Sequence, residues 1–142
     1  MQLSAVRLRF LMAEKLVKFC VVGASGVAVN YAILWLLHDR YGFNLLIASP
    51  SAVEVSIFNN FFLNDFWTFR DRGLEMHLLS RLFRFNVISL GGMALTTGIL
   101  YGLTHYAGMY YMVANLFGIA AGTAWNFSLN VLWTWRLKHP RS

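Results

Sequence analysis

The chain has 142 residues, 58% of them hydrophobic and 13% charged, with a formal net charge of +6 and a mean hydropathy of +0.53. Soluble domains carry about a quarter charged residues, so this composition excludes an ordinary soluble fold and points to a bilayer as solvent. Nucleic acid is excluded as a partner of the basic residues, because they lie at the edges of apolar runs and not on a polar surface.

The first apolar run follows Arg7, Arg9, Lys15 and Lys18 and holds no Lys, Arg, Asp or Glu from Phe19 to Leu37. It resembles the start of a signal peptide, but 19 uncharged residues exceed a usual signal core and suffice to span a membrane. The run is therefore expected to be a retained span. Cys20, the single cysteine, falls inside it, has no disulfide partner in the chain, and reads as packing. The run breaks at HDRYGFN (38–44) and a second begins. From Phe85 to Trp135 there is again no Lys, Arg, Asp or Glu. As one helix those residues would measure about 76 Å, against a hydrocarbon core of ~30 Å, so they must fold into two spans, broken at THYAGMY (104–110). The expected fold class is all-α membrane protein, with four transmembrane helices at about 16–37, 45–66, 85–106 and 111–133. Eleven of the twelve Lys and Arg residues lie in the N-terminal tail, the central loop or the C-terminal tail; only Arg40 lies in a hairpin turn. The positive-inside rule then puts both termini and the central loop in the cytoplasm, in a cell (inner, cytoplasmic) membrane. Trp67, Trp133 and Trp135 would join the inner aromatic belt, and Tyr41, Tyr106, Tyr110 and Tyr111 the outer one.

The chain repeats itself. NFFLNDFWTFR (60–70) returns as NFSLNVLWTWR (126–136). The offset of 66 residues also carries Lys18 to Arg84, Phe19 to Phe85 and Gly26 to Gly92. Two parallel two-helix repeats are expected, at about 15–72 and about 81–138, joined by a cytoplasmic loop at about 71–80 in a single membrane domain. A pseudo-two-fold axis along the membrane normal should relate them.

Three sets of residues bear on chemistry. Asn60, Asn64 and Trp67 recur at i, i+4, i+7 and so share a helical stripe, as do Asn126, Asn130 and Trp133. Buried amides need partners. Either they join packed helices, worth ~0.6–2 kcal/mol each, or they serve a ligand's hydroxyls. Glu54 lies near mid-span, four residues after Pro50, and its repeat partner is Ala120. An acid at that depth reads as functional by default; the plain alternative is a protonated acid bonded to a neighbouring helix. Lys18, Arg70, Arg84 and Arg136 stand at the four cytoplasmic helix ends. They anchor to lipid head groups or seat a phosphate. Gly118 and Gly122 form a GxxxG pair that serves either internal packing or a homodimer. The sequence contains no metal-ligand spacing, no nucleophile–base pair and no phosphate loop, so neither cofactor nor catalysis is expected.

The stretch KFCVVGASG (18–26) with Asn30, and the two copies of the repeated block, resemble the GtrA-like family of four-helix membrane proteins over almost the whole chain. EVSIFNNFFLND (54–65) is most similar to the membrane region appended to dolichol-phosphate-mannose-synthase-type glycosyltransferases. The resemblance implies a role in cell-surface polysaccharide synthesis: translocation of a polyprenyl-phosphate-linked monosaccharide beside a separate, membrane-associated glycosyltransferase. It adds Asn30 and Asp65 to the substrate-binding set. Val131 replaces Asp65 in the second copy, so acidic chemistry belongs to the first. Two other readings remain open: an anchor that recruits the glycosyltransferase and moves nothing, and a small multidrug-type exporter, which would leave the paired Asn–Trp blocks unexplained.

Overall fold

The computed structural model describes residues 5–72 and 76–135. Among them there is no strand. Helix α1 runs Ala5–Trp35 and ends in a π-helical turn, Leu36–Arg40. Helix α2, Leu45–Leu63, runs into a second π turn, Asn64–Thr68. Helix α3 is Leu78–His105, and α4, Tyr111–Leu129, ends in a third π turn, Asn130–Thr134. The first three helices, α1 and α2 taken with their π turns, are each long and apolar enough to cross a membrane. The 19 residues of α4 include no Asp, Glu, Lys or Arg and would extend about 28 Å. The chain is an all-α membrane protein.

Two helices start earlier than the sequence suggests. The 31 residues of α1 would measure about 46 Å, so the helix outruns the hydrocarbon. Charged residues mark where lipid ends, but they do not stop a helix. The Glu14–Lys18 ion pair at i, i+4 favours continuation. Helix α3 begins at Leu78, which takes 78–80 out of the expected loop.

The chain divides into two compact units, residues 1–71 and 72–142. In the first, α1 packs on α2; in the second, α3 packs on α4. Gly42 (φ 73°) and Gly108 (φ 64°) take the left-handed conformation in the two hairpin turns, where glycine avoids the Cβ clash. Asn44 caps α2 by accepting from the Leu46 amide at 2.9 Å. Lipid tails are as apolar as leucine, so close packing replaces the hydrophobic effect as the force between these helices. At Gly26 a Cβ would fall 2.3 Å from Asn60 Oδ1, and at Gly92 one would fall 2.6 Å from the Asn126 amide. Each glycine thus lets an asparagine lie directly on the facing helix. At the opposite end, Phe19 meets Phe69 edge-on at 6.5 Å and Phe85 meets Trp135 at 5.6 Å.

Candidate functional site: a basic pocket at the foot of the first hairpin

The repeated block does something that a simple helical stripe would not. At Asn64 and Asn130 the helix widens into a π turn. The Phe69 amide reaches back five residues to the Asn64 carbonyl at 2.8 Å, and the Trp135 amide to the Asn130 carbonyl at 2.9 Å. The altered register separates residues expected on one face. Asn64 is 1% exposed while Trp67 is 43% exposed. Asn130 is fully buried while Trp133 is 43% exposed. The Asn–Trp stripe therefore splits: each asparagine turns inward and each tryptophan outward. π turns of this kind occur often at functional sites.

The buried asparagines bond within their own helices. Asn64 Nδ2 donates to the Asn60 carbonyl at 2.8 Å, and Asn130 Nδ2 to the Asn126 carbonyl at 2.8 Å. In the second unit the Thr134 hydroxyl closes the arrangement by donating to Asn130 Oδ1 at 2.7 Å. In the first, Asn64 Oδ1 and Thr68 Oγ1 are both buried with no hydrogen-bond partner.

A helix end also leaves backbone carbonyls without donors. Basic side chains meet them here. Lys15 Nζ donates to the Thr68 carbonyl at 3.0 Å. Arg84 Nη1 donates to the Trp133 carbonyl at 3.0 Å, with its guanidinium 5.0 Å from the centre of the Trp133 ring. Arg72 Nη1 donates to the carbonyls of Val131 at 3.1 Å and Trp135 at 2.6 Å. Arg72 looks like a loop charge in the sequence, yet it is 5% exposed and holds the end of α4.

In the first unit these groups surround a pocket of about 190 Å³. Leu11 and Trp67 supply its apolar wall; Lys15, Lys18 and Arg70 supply donors; Glu14 and Asp71 supply acids; and Thr68 completes the lining. Lys15 pairs with Asp71 and Lys18 with Glu14. The Lys18 ammonium also lies 5.8 Å from the centre of the Trp67 ring. Arg70 is left over. It is exposed, and among the described residues it makes no hydrogen bond or ion pair. The pocket therefore carries one uncompensated guanidinium with its fork of donors. That fork suits a tetrahedral oxyanion.

Of the expected site residues, Lys18, Trp67 and Arg70 come together in this pocket. Asn60, Asn64 and Asp65 stand just behind it on α2 and its π turn, with Asp65 4% exposed. Asn30 and Glu54 are half-buried in mid-helix. Sixteen residues separate Glu54 from Arg70, roughly 24 Å along the helix, so the acid is not part of the pocket. Asn126, Asn130, Trp133 and Arg84 form the corresponding end of the second unit; Arg136 lies outside the described residues. Gly118 and Gly122 press on Thr96, whose hydroxyl donates to the Gly118 carbonyl at 3.0 Å, so the GxxxG pair serves packing inside the second unit. Sequence reasoning missed Lys15, Thr68 and Asp71. A signal existed for the first two: the 66-residue offset carries Lys15 to Arg81 and Thr68 to Thr134.

Comparison with known proteins agrees with this architecture. Residues 18–135 match the model of the family described as GtrA/DPMS, transmembrane domain. The chain is 41% identical over 124 residues to a dolichol-phosphate mannosyltransferase of Pyrococcus furiosus, a match covering 86% of this chain and 34% of that protein. It thus spans about a third of its relative's length. With most of its length matched, both hairpins included, the chain belongs to the GtrA/DPMS transmembrane domain family.

Proposed function

We propose that this protein is a non-catalytic translocation component for a polyprenyl-phosphate-linked monosaccharide in cell-surface polysaccharide synthesis. It sits in the cytoplasmic membrane with both termini and the 71–80 segment in the cytoplasm. The observation that carries the reading is the pocket at the foot of the first hairpin. Its uncompensated Arg70 suits a phosphate, and its place at a helix end suits a head group whose tail stays in lipid. Dragging an anion and several hydroxyls through hydrocarbon is the cost to be lowered. The name of the Pyrococcus furiosus relative points to the same class of cargo.

Binding tests the reading directly. The purified protein should bind a fluorescent polyprenyl phosphate in preference to the matching polyprenol, and Arg70→Gln should weaken phosphate-lipid binding about 10- to 100-fold, the worth of charge-assisted hydrogen bonds. Equal binding of the two lipids would remove the phosphate seat.

A second reading has its own support. The relative is about three times as long as the matched region, so this chain could act as the membrane partner of a separate glycosyltransferase. As an anchor it would recruit that enzyme and move no lipid.

A further inference from the structure

The pocket at the foot of the first hairpin is lined by three cations, Lys15, Lys18 and Arg70, and by two carboxylates, Glu14 and Asp71. One positive charge is left in excess. Both lysines sit deeper than their acids: the Lys15 and Lys18 side chains are 10% and 28% exposed, against 62% for Asp71 and 58% for Glu14. Both lysines are also committed. Lys15 donates to the Thr68 carbonyl at 3.0 Å and pairs with Asp71, while Lys18 pairs with Glu14 beside the Trp67 ring. Among the described residues that line the pocket, Arg70 is the cation left to meet an incoming anion, and the two carboxylates stand at the rim that the anion must pass.

The repeat shows which of these charges the hairpin itself needs. The offset of 66 carries Lys15, Lys18 and Arg70 to Arg81, Arg84 and Arg136, so every cation recurs. It carries Glu14 to Ser80 and Asp71 to Leu137, so neither acid does. In the second hairpin Arg81 donates to the Met76 carbonyl at 2.7 Å and Arg84 to the Trp133 carbonyl at 3.0 Å. Basic side chains are thus seated there by carbonyls, with no acid at either matching position. Building the foot of a hairpin does not call for Glu14 or Asp71. What the two acids alter is the charge of the first pocket.

Carboxylates at the rim of an anion site oppose excess negative charge, and specificity is often built from such repulsion. A phosphodiester carries one negative charge, which the guanidinium fork of Arg70 matches. A phosphomonoester carries about −1.5 to −2 at pH 7, and its second charge would face Glu14 and Asp71 with no further cation to offset it. A sugar linked through phosphate to a polyprenyl chain is a phosphodiester; the same carrier without its sugar is a phosphomonoester. We infer that Glu14 and Asp71 make this pocket selective for the sugar-bearing phosphodiester over the bare carrier phosphate. The inference rests on the proposed function and adds to it a means of telling loaded carrier from empty: Arg70 supplies the affinity and the two acids supply the discrimination.

The test takes the sugar out of the comparison. The full chain in uncharged detergent is given polyprenyl phosphate, a monoester, or polyprenyl methyl phosphate, a diester; at about pH 8 the two lipids differ by one charge. In ~20 mM salt wild type should bind the diester about 3- to 10-fold more tightly than the monoester. The preference should shrink in ~0.5 M salt, which screens exposed charges. Glu14→Gln combined with Asp71→Asn keeps both side-chain shapes and should erase or reverse the preference. Each single substitution, checked for wild-type helicity, should reduce it, and the singles decide the matter if the double variant does not fold. Wild type that binds neither lipid better than polyprenol would remove the proposed function and this inference together. Equal or tighter binding of the monoester by wild type, or a preference unchanged in every folded variant, would overturn the inference and leave the phosphate seat standing. Displacement of the diester by phosphatidylglycerol, a phosphodiester with no prenyl chain, would support the charge selection while replacing the polyprenyl cargo with ordinary phospholipid.

Discussion

Gly118→Ala should loosen the second hairpin. A Cβ at this position would fall 2.7 Å from the Thr96 backbone carbonyl oxygen and 3.2 Å from Thr96 Cγ2. The nearer atom is backbone and cannot rotate away, so α3 and α4 must part locally by several tenths of an ångström. That separation also stretches the Thr96–Gly118 hydrogen bond, 3.0 Å in the native packing. Overpacking costs about 1–3 kcal/mol, and the interhelical bond is worth about 0.6–1.7 kcal/mol. Replacing glycine by alanine within a helix returns about 0.8–1 kcal/mol. The net expected loss is about 1–4 kcal/mol. Gly98→Ala is the matched control: nothing lies within 4 Å of its Cβ, so only the helix-propensity gain remains and the variant should be at least as stable as wild type. Reversible unfolding in mixed detergent micelles, followed by helical circular dichroism, measures both. Equal stability of Gly118→Ala and Gly98→Ala would refute the close approach of α3 and α4.

Arg72→Gln should lower stability by about 1–3 kcal/mol, because it strips the carbonyls of Val131 and Trp135 of a buried donor; thermal unfolding in detergent checks it, and a wild-type midpoint would mean that the residue is an ordinary loop charge. Glu54→Ala should abolish polysaccharide modification in cells while membrane insertion stays normal by fractionation and immunoblot, and normal modification at equal protein level would leave Glu54 a structural role only. Topology follows from the distribution of positive charge: in a Cys20→Ser background, a cysteine at exposed His77 should react only with reagents that reach the cytoplasm and one at exposed Tyr106 only with external reagents, and the reverse pattern would invert the protein.

Much of the fold was legible because spans, turns and repeat are written as composition and offset. Uncharged runs can be counted against a bilayer's thickness, and a 66-residue match needs no structure to be seen. The helix starts were less legible, since a cluster such as Arg7, Arg9, Glu14 and Lys15 marks the lipid boundary without ending the helix. The π turns were not legible at all. Periodicity at 3.6 residues puts Asn64 and Trp67 on one face, and only the five-residue hydrogen bond to Phe69 shows that they part. The charges divide in the same way. Arg70 stands just past the π turn that ends α2, where the sequence puts it, while Lys18 lies well inside α1 and not at its start. Sequence distance alone does not reveal that Lys15 caps a carbonyl 53 residues away, or that Arg72 is buried against the end of α4.

In the proposed function the protein itself carries a phosphate-linked sugar lipid, with Arg70 holding the phosphate. The most direct measurement is the initial rate at which a fluorescent polyprenyl-phosphate hexose crosses the bilayer of proteoliposomes that contain this protein and no glycosyltransferase. Wild-type protein should exceed empty liposomes clearly, and Arg70→Gln, at matched reconstitution, should fall about 10-fold or more below wild type. A wild-type rate equal to that of empty liposomes, in vesicles where binding of the lipid is confirmed, would contradict the claim and leave the anchor reading in its place.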